Sequence, residues 1–254
     1  MSDTEIAEPI PSPPITICSF LWFDPDQEYN AEYVYSADDV RLMKRMWDRN
    51  LTVPHEWVCV TNLPEQFTPD DGIRLVPFEK SLLLPNGRFP RVMMFHPDAA
   101  ALIGDRIIAP DMDCVVTGNL DAIVSRPEPV VLWRNPARVP WSNPPIGSKS
   151  YRRDWYNTSL VMVTAGWRPD VWTTFSPEKT RDEQTWISSR MGPNAAYWDQ
   201  SHGVYRLARE DTPGSGIERD LPENARLVFF AGSRHKPWLP EIQERCPWIA
   251  EFRR

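Results

Sequence analysis

The stretch DRIIAPDMDCVVTGNLDAIV (105–124) decides how this chain is read. An apolar segment, RIIAP, runs into two carboxylates one residue apart, Asp111 and Asp113, and a second apolar segment, CVV, leaves them. Side chains at i and i+2 of extended backbone point to the same side. Directly after a buried strand, two such charges repel each other and are costly to desolvate. A divalent cation resolves that conflict, because Mg2+ and Mn2+ take oxygen ligands and commonly complete their shells with substrate phosphates. A D-x-D by itself also occurs as an ordinary polar turn. The strands on both sides favour the metal reading here.

Upstream, ITICSFLWF (15–23) reads as a buried strand and the polar DPDQEYN after it as a loop. ADDVRLMKRMWDRN (37–50) reads as a helix, with Asp38 or Asp39 as its cap and Val40, Met43, Met46 and Trp47 as its apolar stripe. EWVCVTN (56–62) and IRLVPF (73–78) follow as strands, giving β-α-β-β order with a first crossover long enough for a parallel pair. RFPRVMMFHPDAAALIG (88–104) is expected to be helical from Pro90 and to break at Pro97. Downstream, PVVLWRNP (129–136) and YNTSLVMVTAG (156–166) read as strands, WRPDVWTTF and TRDEQTWISSRM (180–191) as helices. YRLAR and ARLVFFAG (225–232) are late strands, and a loop with a short helix closes the chain. The expectation is one α/β domain over residues 15–254, with a sheet that is mostly parallel early and mixed later. In such sheets ligands bind at the carboxyl ends of strands, where strand order switches, and Asp111 and Asp113 lie at such an end. Neither G-x-G-x-x-G nor a P-loop motif occurs.

The 254 residues suffice for one large core without disulfides or structural metal. The sequence is rich in proline, with 27, and in tryptophan, with 12, against 11 glycines. The prolines imply long ordered loops. The indoles either offer flat faces to sugar rings or fill an aromatic core. A net charge of −7 without a basic block argues against nucleic acid as a partner. The four cysteines are scattered, and three sit in apolar runs, as small buried hydrophobes do in a reducing compartment. The acidic, proline-rich residues 1–14 read as a disordered tail and do not resemble a signal peptide. No apolar run approaches the ~18 residues of a membrane span. A cytoplasmic protein is expected.

The segment A-P-D-M-D-C-V-V-T-G-N-L-D resembles the donor-site segment of the glycogenin and lipopolysaccharide-galactosyltransferase type of glycosyltransferase, called family eight. Further segments are similar to that family's, in the same order: F-P-R-V-M-M-F (89–95), Y-N-T-S-L-V-M-V (156–163), D-E-Q-T-W-I (182–187) and G-S-R-H-K-P-W (232–238). The resemblance implies a GT-A fold, a Rossmann-like single domain with a mixed sheet. It implies Mn2+ (or Mg2+) held by Asp111 and Asp113 against the diphosphate of a nucleotide-sugar, with a UDP-sugar as the usual donor and retention of configuration. It implies Glu183 or Asp182 at the sugar, and donor contacts from Arg91, Met112, Asn157, Gln184, Gly232 and Lys236. The family's third metal ligand is a histidine ahead of the glycine. Here Phe229, Phe230 and Ala231 occupy that stretch, and His235 follows Gly232. His235 is therefore the candidate for the metal or a phosphate; otherwise a water fills the third position, or His235 is a surface residue in a proline-rich loop.

Each residue also has a plainer reading. Arg91 either reaches the diphosphate or forms a salt bridge on a helix exterior. Lys236 adds a point charge to the phosphates or is a solvated lysine. The acids at 182 and 183 either steady positive charge at the anomeric carbon or complement a helix dipole. Asn157 and Gln184 either bind sugar hydroxyls or cap backbone. Phe20 and Trp22 either stack a base or pack the core. Trp133, Arg134, Trp141, Arg152 and Trp155 outline an acceptor wall for a glycan, lipid, protein or small molecule. Two alternatives stay open: a non-catalytic nucleotide-sugar or glycan-binding relative, and a metal-dependent phosphohydrolase or nucleotidyltransferase.

Overall fold

Ile15–Leu21 (β1) is rich in β-branched residues and is buried from Thr16 onward, so it forms the middle of a sheet. It pairs in parallel with His55–Thr61 (β2), from Ile15 opposite His55 to Leu21 opposite Thr61. The crossover carries Ala37–Asp48 (α1), which buries the expected stripe of Val40, Met43, Met46 and Trp47. Its N-cap is Ser36, ahead of the expected Asp38 or Asp39. Asp39 reaches back instead, and its Oδ2 accepts the Ser36 N–H at 2.9 Å. The computed structural model describes residues 14–23, 34–77, 83–84, 87–134, 155–180, 182–208, 216–230, 232 and 235–254. The expected tail up to residue 13, the loop at 24–33, Trp141, Arg152 and Ala231 lie outside the described residues.

Strand β2 also pairs in parallel with Arg74–Pro77 (β3). Two 3-10 turns, Pro64–Gln66 and Pro69–Asp71, make that connection, and Arg41 of α1 clamps them through Asp71 (2.8 Å) and the Gln66 carbonyl (2.6 Å). A short antiparallel hairpin of Leu83–Leu84 (β4) and Gly87–Arg88 (β5) follows. The expected break at Pro97 falls between Pro90–Phe95, which is a 3-10 turn in place of the expected α-helix, and a single helical turn, Ala99–Leu102 (α2). Pro90 and Pro97 leave too few backbone N–H groups between them for a continuous α-helix.

Arg106–Pro110 (β6) enters the sheet beside β1, and Cys114–Val116 (β7) belongs to a second sheet. After Asp121–Val124 (α3) come Val130–Arg134 (β8) and the long Tyr156–Thr164 (β9), which runs antiparallel to both β6 and β8. Asp170–Thr173 (α4), Glu183–Met191 (α5) and Ala196–Trp198 (β10) lead to Val204–Arg206 (β11) and Leu227–Phe229 (β12). Pro240–Arg245 (α6) and Trp248–Phe252 (α7) close the chain. Among the described residues the main sheet runs β10-β8-β9-β6-β1-β2-β3, and a three-stranded sheet runs β11-β12-β7.

Both faces of the main sheet are covered, so strand residues alternate between two cores. Cys18, Ile107, Val130, Leu132, Val161 and Val163 face one core with Phe89, Phe95 and Trp186. Ile17, Ile108, Val131, Trp133, Leu160 and Met162 face the other with Met43, Trp47 and Phe229. Each such fully buried side chain contributes roughly 1.5–3 kcal/mol relative to exposure. The four cysteines are buried and unbridged. No helix among the described residues is long and apolar enough to cross a membrane.

Candidate functional site

Strand β1 leads on one side to β2 and β3, while β6 lies on its other side. The order of the sheet therefore switches between β1 and β6, and in open α/β sheets ligands bind outside the carboxyl ends of strands at such a switch. Asp111 emerges there from β6, its N–H held by the Ser159 carbonyl at 2.8 Å. Asp113 is two residues on, at the entrance of β7, and its carbonyl accepts the Phe230 N–H at 3.1 Å. The D-M-D step is thus the crossing from one sheet to the other. Met112 between them packs against apolar residues around α1 and β2.

Two cations from distant segments meet these acids. Arg91, in the Pro90–Phe95 turn, donates from Nη2 to Asp111 and from Nη1 to Glu183 at 2.7 Å. Its backbone N–H also donates to Glu183 Oε2, at 3.1 Å. Lys236 donates to Asp113 and lies 3.5 Å from the Phe230 carbonyl. Asp113 and Glu183 are each only 8 % exposed. Burial pushes Asp113 up, to about 6, and the Asp111 charge adds to the rise while Lys236 and Arg91 oppose it. Burial raises Glu183 as well, against the pull of Arg91. Burial works against the Arg91 charge, but Asp111 and Glu183 outweigh it and raise its pKa. Three carboxylates thus face two cations, which leaves one negative charge in excess.

That donor set fits an oxygen-preferring divalent cation. Asp111 and Asp113 are close enough that one charge disfavours the other, and hard cations bind through one or two carboxylates plus phosphate oxygens. Among the described residues no three His, Cys, Asp or Glu side chains are arranged to hold a metal. His235 is half-buried beside Lys236 and does not join the two aspartates in such a group. Phe229 and Phe230, in the stretch where the resemblance places a ligating histidine, are core residues: Phe229 lies 4.8 Å from the Trp133 ring and Phe230 packs near Trp248.

The remaining expected residues divide. Glu183 belongs to the charged cluster, whereas Asp182 is the N-cap of α5 and accepts the Thr185 N–H at 2.8 Å. Gln184 follows at the same helix start, half-buried. Asn157 Oδ1 accepts the Ser159 N–H at 2.7 Å and so shapes the backbone that holds Asp111. Gly232 has φ +83, which suits glycine at the turn before Lys236. Phe20 is 5 % exposed and packed in the core, so its ring is not presented to the crevice; Trp22 is half-buried at the core's edge. Trp133 is likewise a core residue and not an acceptor wall, because both faces of β8 are covered. Arg134 lies 4.6 Å from the Tyr197 ring, and Trp155 packs at the edge of the other core. Tyr35 and Trp238 flank Lys236; the motif around Trp238 marked that residue, but nothing in the sequence marked Tyr35.

Solved structures show where else this architecture occurs. The chain is similar to galactosyltransferase LgtC in complex with donor and acceptor sugar analogs, with TM-score 0.58 and 10 % identity over 93 % of this chain and 96 % of that one. It is similar to glycosyltransferase GlyE in Streptococcus pneumoniae TIGR4, with TM-score 0.55, 10 % identity and coverage of 90 % and 57 %. It is also similar to the WbbM bifunctional glycosyltransferase, with TM-score 0.57, 12 % identity and coverage of 96 % and 52 %. No protein-family model and no curated protein matches the chain. The chain therefore has a GT-A type of fold, a single α/β domain with a mixed sheet. At such identities the similarity shows the fold alone.

Proposed function

We propose that this chain is a glycosyltransferase that moves a sugar from a nucleoside-diphosphate sugar, a UDP-sugar first, to an acceptor hydroxyl. The observation that carries the reading is the buried cluster of Asp111, Asp113 and Glu183 with Arg91 and Lys236. It lies at the switch point of a fold shared with sugar transferases. Buried charge of this density is costly to a fold and gathers at sites that handle charged ligands.

Asp111 and Asp113 would hold Mn2+ or Mg2+. Such an ion, when bound, supplies a Lewis acid for the oxygens of a departing diphosphate. Lys236 reaches the same place and would give its positive charge to the phosphates as it leaves Asp113. Arg91 fixes Glu183 by two contacts, so that carboxylate is positioned to accept hydrogen bonds from sugar hydroxyls or to face positive charge at the anomeric carbon. Gln184, on the first turn of α5, adds a neutral amide suited to hydroxyls. The expectation that this occurs in the cytoplasm, with retention of configuration, belongs to the same proposal.

Thermal shift with UDP and GDP, with and without Mn2+, tests the reading on wild type and Asp113→Ala. A diphosphate that stabilises only the wild type, and more so with metal, supports it. A response that ignores Asp113, or no response to either diphosphate, removes it.

A further inference from the structure

The Lys236 ammonium stands between two aromatic rings and a carboxylate. It donates to Asp113 and lies 6.0 Å from the Tyr35 ring centre and 5.9 Å from that of Trp238. The two rings meet edge to face, 5.7 Å apart at 90°. Pro237 joins Lys236 to Trp238 and stiffens the backbone between them.

A further contact to Trp238 comes from the end of α7. The Arg253 guanidinium lies 5.4 Å from the Trp238 ring centre, within the range of a cation–π contact. Its Nη2 lies 3.9 Å from Oδ1 of Asp39, whose other oxygen completes the cap of α1. From the far end of α1, Arg49 donates to the Phe252 carbonyl at 3.0 Å. The segment carrying Arg253 is therefore gripped by both ends of one helix, and Arg253 transmits that grip to Trp238.

We propose that Arg253 is a positioning residue for Lys236: it pins the Trp238 ring toward Tyr35 and so holds the ammonium aimed at the donor diphosphate. The inference rests on the proposed donor site and adds to it a residue far from the acidic pair in sequence. A lysine stem has several rotatable bonds, and ordering it before a ligand arrives spares the ligand that entropic cost.

The test compares affinity for UDP and GDP, by calorimetry with Mn2+, with affinity for uridine and guanosine, by ligand-observed NMR. It uses wild type, Lys236→Ala, Arg253→Ala and Arg253→Lys. Arg253→Ala is expected to weaken diphosphate binding about five- to tenfold, the size of one such contact. Nucleoside binding should stay unchanged, and Arg253→Lys should recover most of the loss. Lys236→Ala should show the same selective loss. The inference is overturned if Arg253→Ala binds diphosphate as the wild type does while Lys236→Ala does not. It is also overturned if Arg253→Ala loses nucleoside and diphosphate alike, the mark of general damage. A wild type that binds neither diphosphate removes the donor site, and this inference with it.

Discussion

Replacing Arg91 by methionine keeps most of the apolar stem and deletes a cation that two carboxylates share. Its side chain is 13 % exposed and that of Glu183 11 %, so that pair lies deep, while Asp111 at 30 % keeps partial access to water. Removing one partner of a buried pair costs about 3–5 kcal/mol, because the other charge stays behind. Discounting the Asp111 contact for solvent screening keeps the expected loss near the lower end, about 3 kcal/mol. In a chain of this size that corresponds to a melting point lower by roughly 6–12 °C. The loss has a pH signature. Glu183 already titrates above its ordinary range, and without Arg91 it rises further. A carboxyl group with a raised folded pKa destabilises the fold above that pKa. The penalty is relieved as pH falls through it toward the unfolded value. Urea unfolding of Arg91→Met should therefore show a larger deficit at pH 8 than at pH 5. Adding Glu183→Gln should return a large part of the stability at pH 8. A deficit equal at both pH values, and untouched by Glu183→Gln, would refute the argument that Arg91 neutralises a buried carboxylate.

Other perturbations probe the scaffold. Asp71, held by Arg41, sits at about 2, so its stabilisation is full above the unfolded value near ~4 and disappears as pH falls through 2. The gap in urea midpoint between wild type and Asp71→Asn should shrink between those values. A Cβ on Gly104 would meet Thr16 Oγ1 at 2.0 Å, whereas one on Gly166 would meet nothing within 4 Å. Gly104→Ala should therefore cost about 1–3 kcal/mol more than Gly166→Ala by denaturant titration; equal costs would contradict the packing. Burial raises the pKa of all four cysteine thiols, with Cys59 pushed up to about 12. A thiol reagent should find them unreactive in the native protein and reactive in guanidinium; rapid native labelling would show the cores to be open.

Much of this was legible in the residues because it is local. The RIIAP-D-M-D-CVV pattern marks its strands by apolar composition and its acids by their interruption of it, and the structure puts the acids at a strand end beside another strand's end. Helix α1 was legible because its apolar stripe, Val40 to Trp47, spans about two turns. What was not legible was non-local or governed by proline. The Pro90–Phe95 segment has helical composition, but two prolines convert it to a 3-10 turn. Trp133 lies in the expected strand PVVLWRNP yet groups with the loop after it as an acceptor wall, and the pairing of β8 sends it into a core. Glu183 and Asp182 are indistinguishable as adjacent acids at a helix start. Only the N-cap geometry assigns one to the backbone and frees the other for Arg91, 92 positions away.

The most direct test of the account is to incubate the protein with a panel of nucleotide-sugars and Mn2+, without acceptor, and identify what is released. The account predicts slow release of a nucleoside diphosphate and free sugar from at least one of them, with water standing in for the acceptor, and loss of that release in Asp113→Asn. Release of a nucleoside monophosphate with a sugar phosphate, or binding with no turnover of any donor, would contradict it.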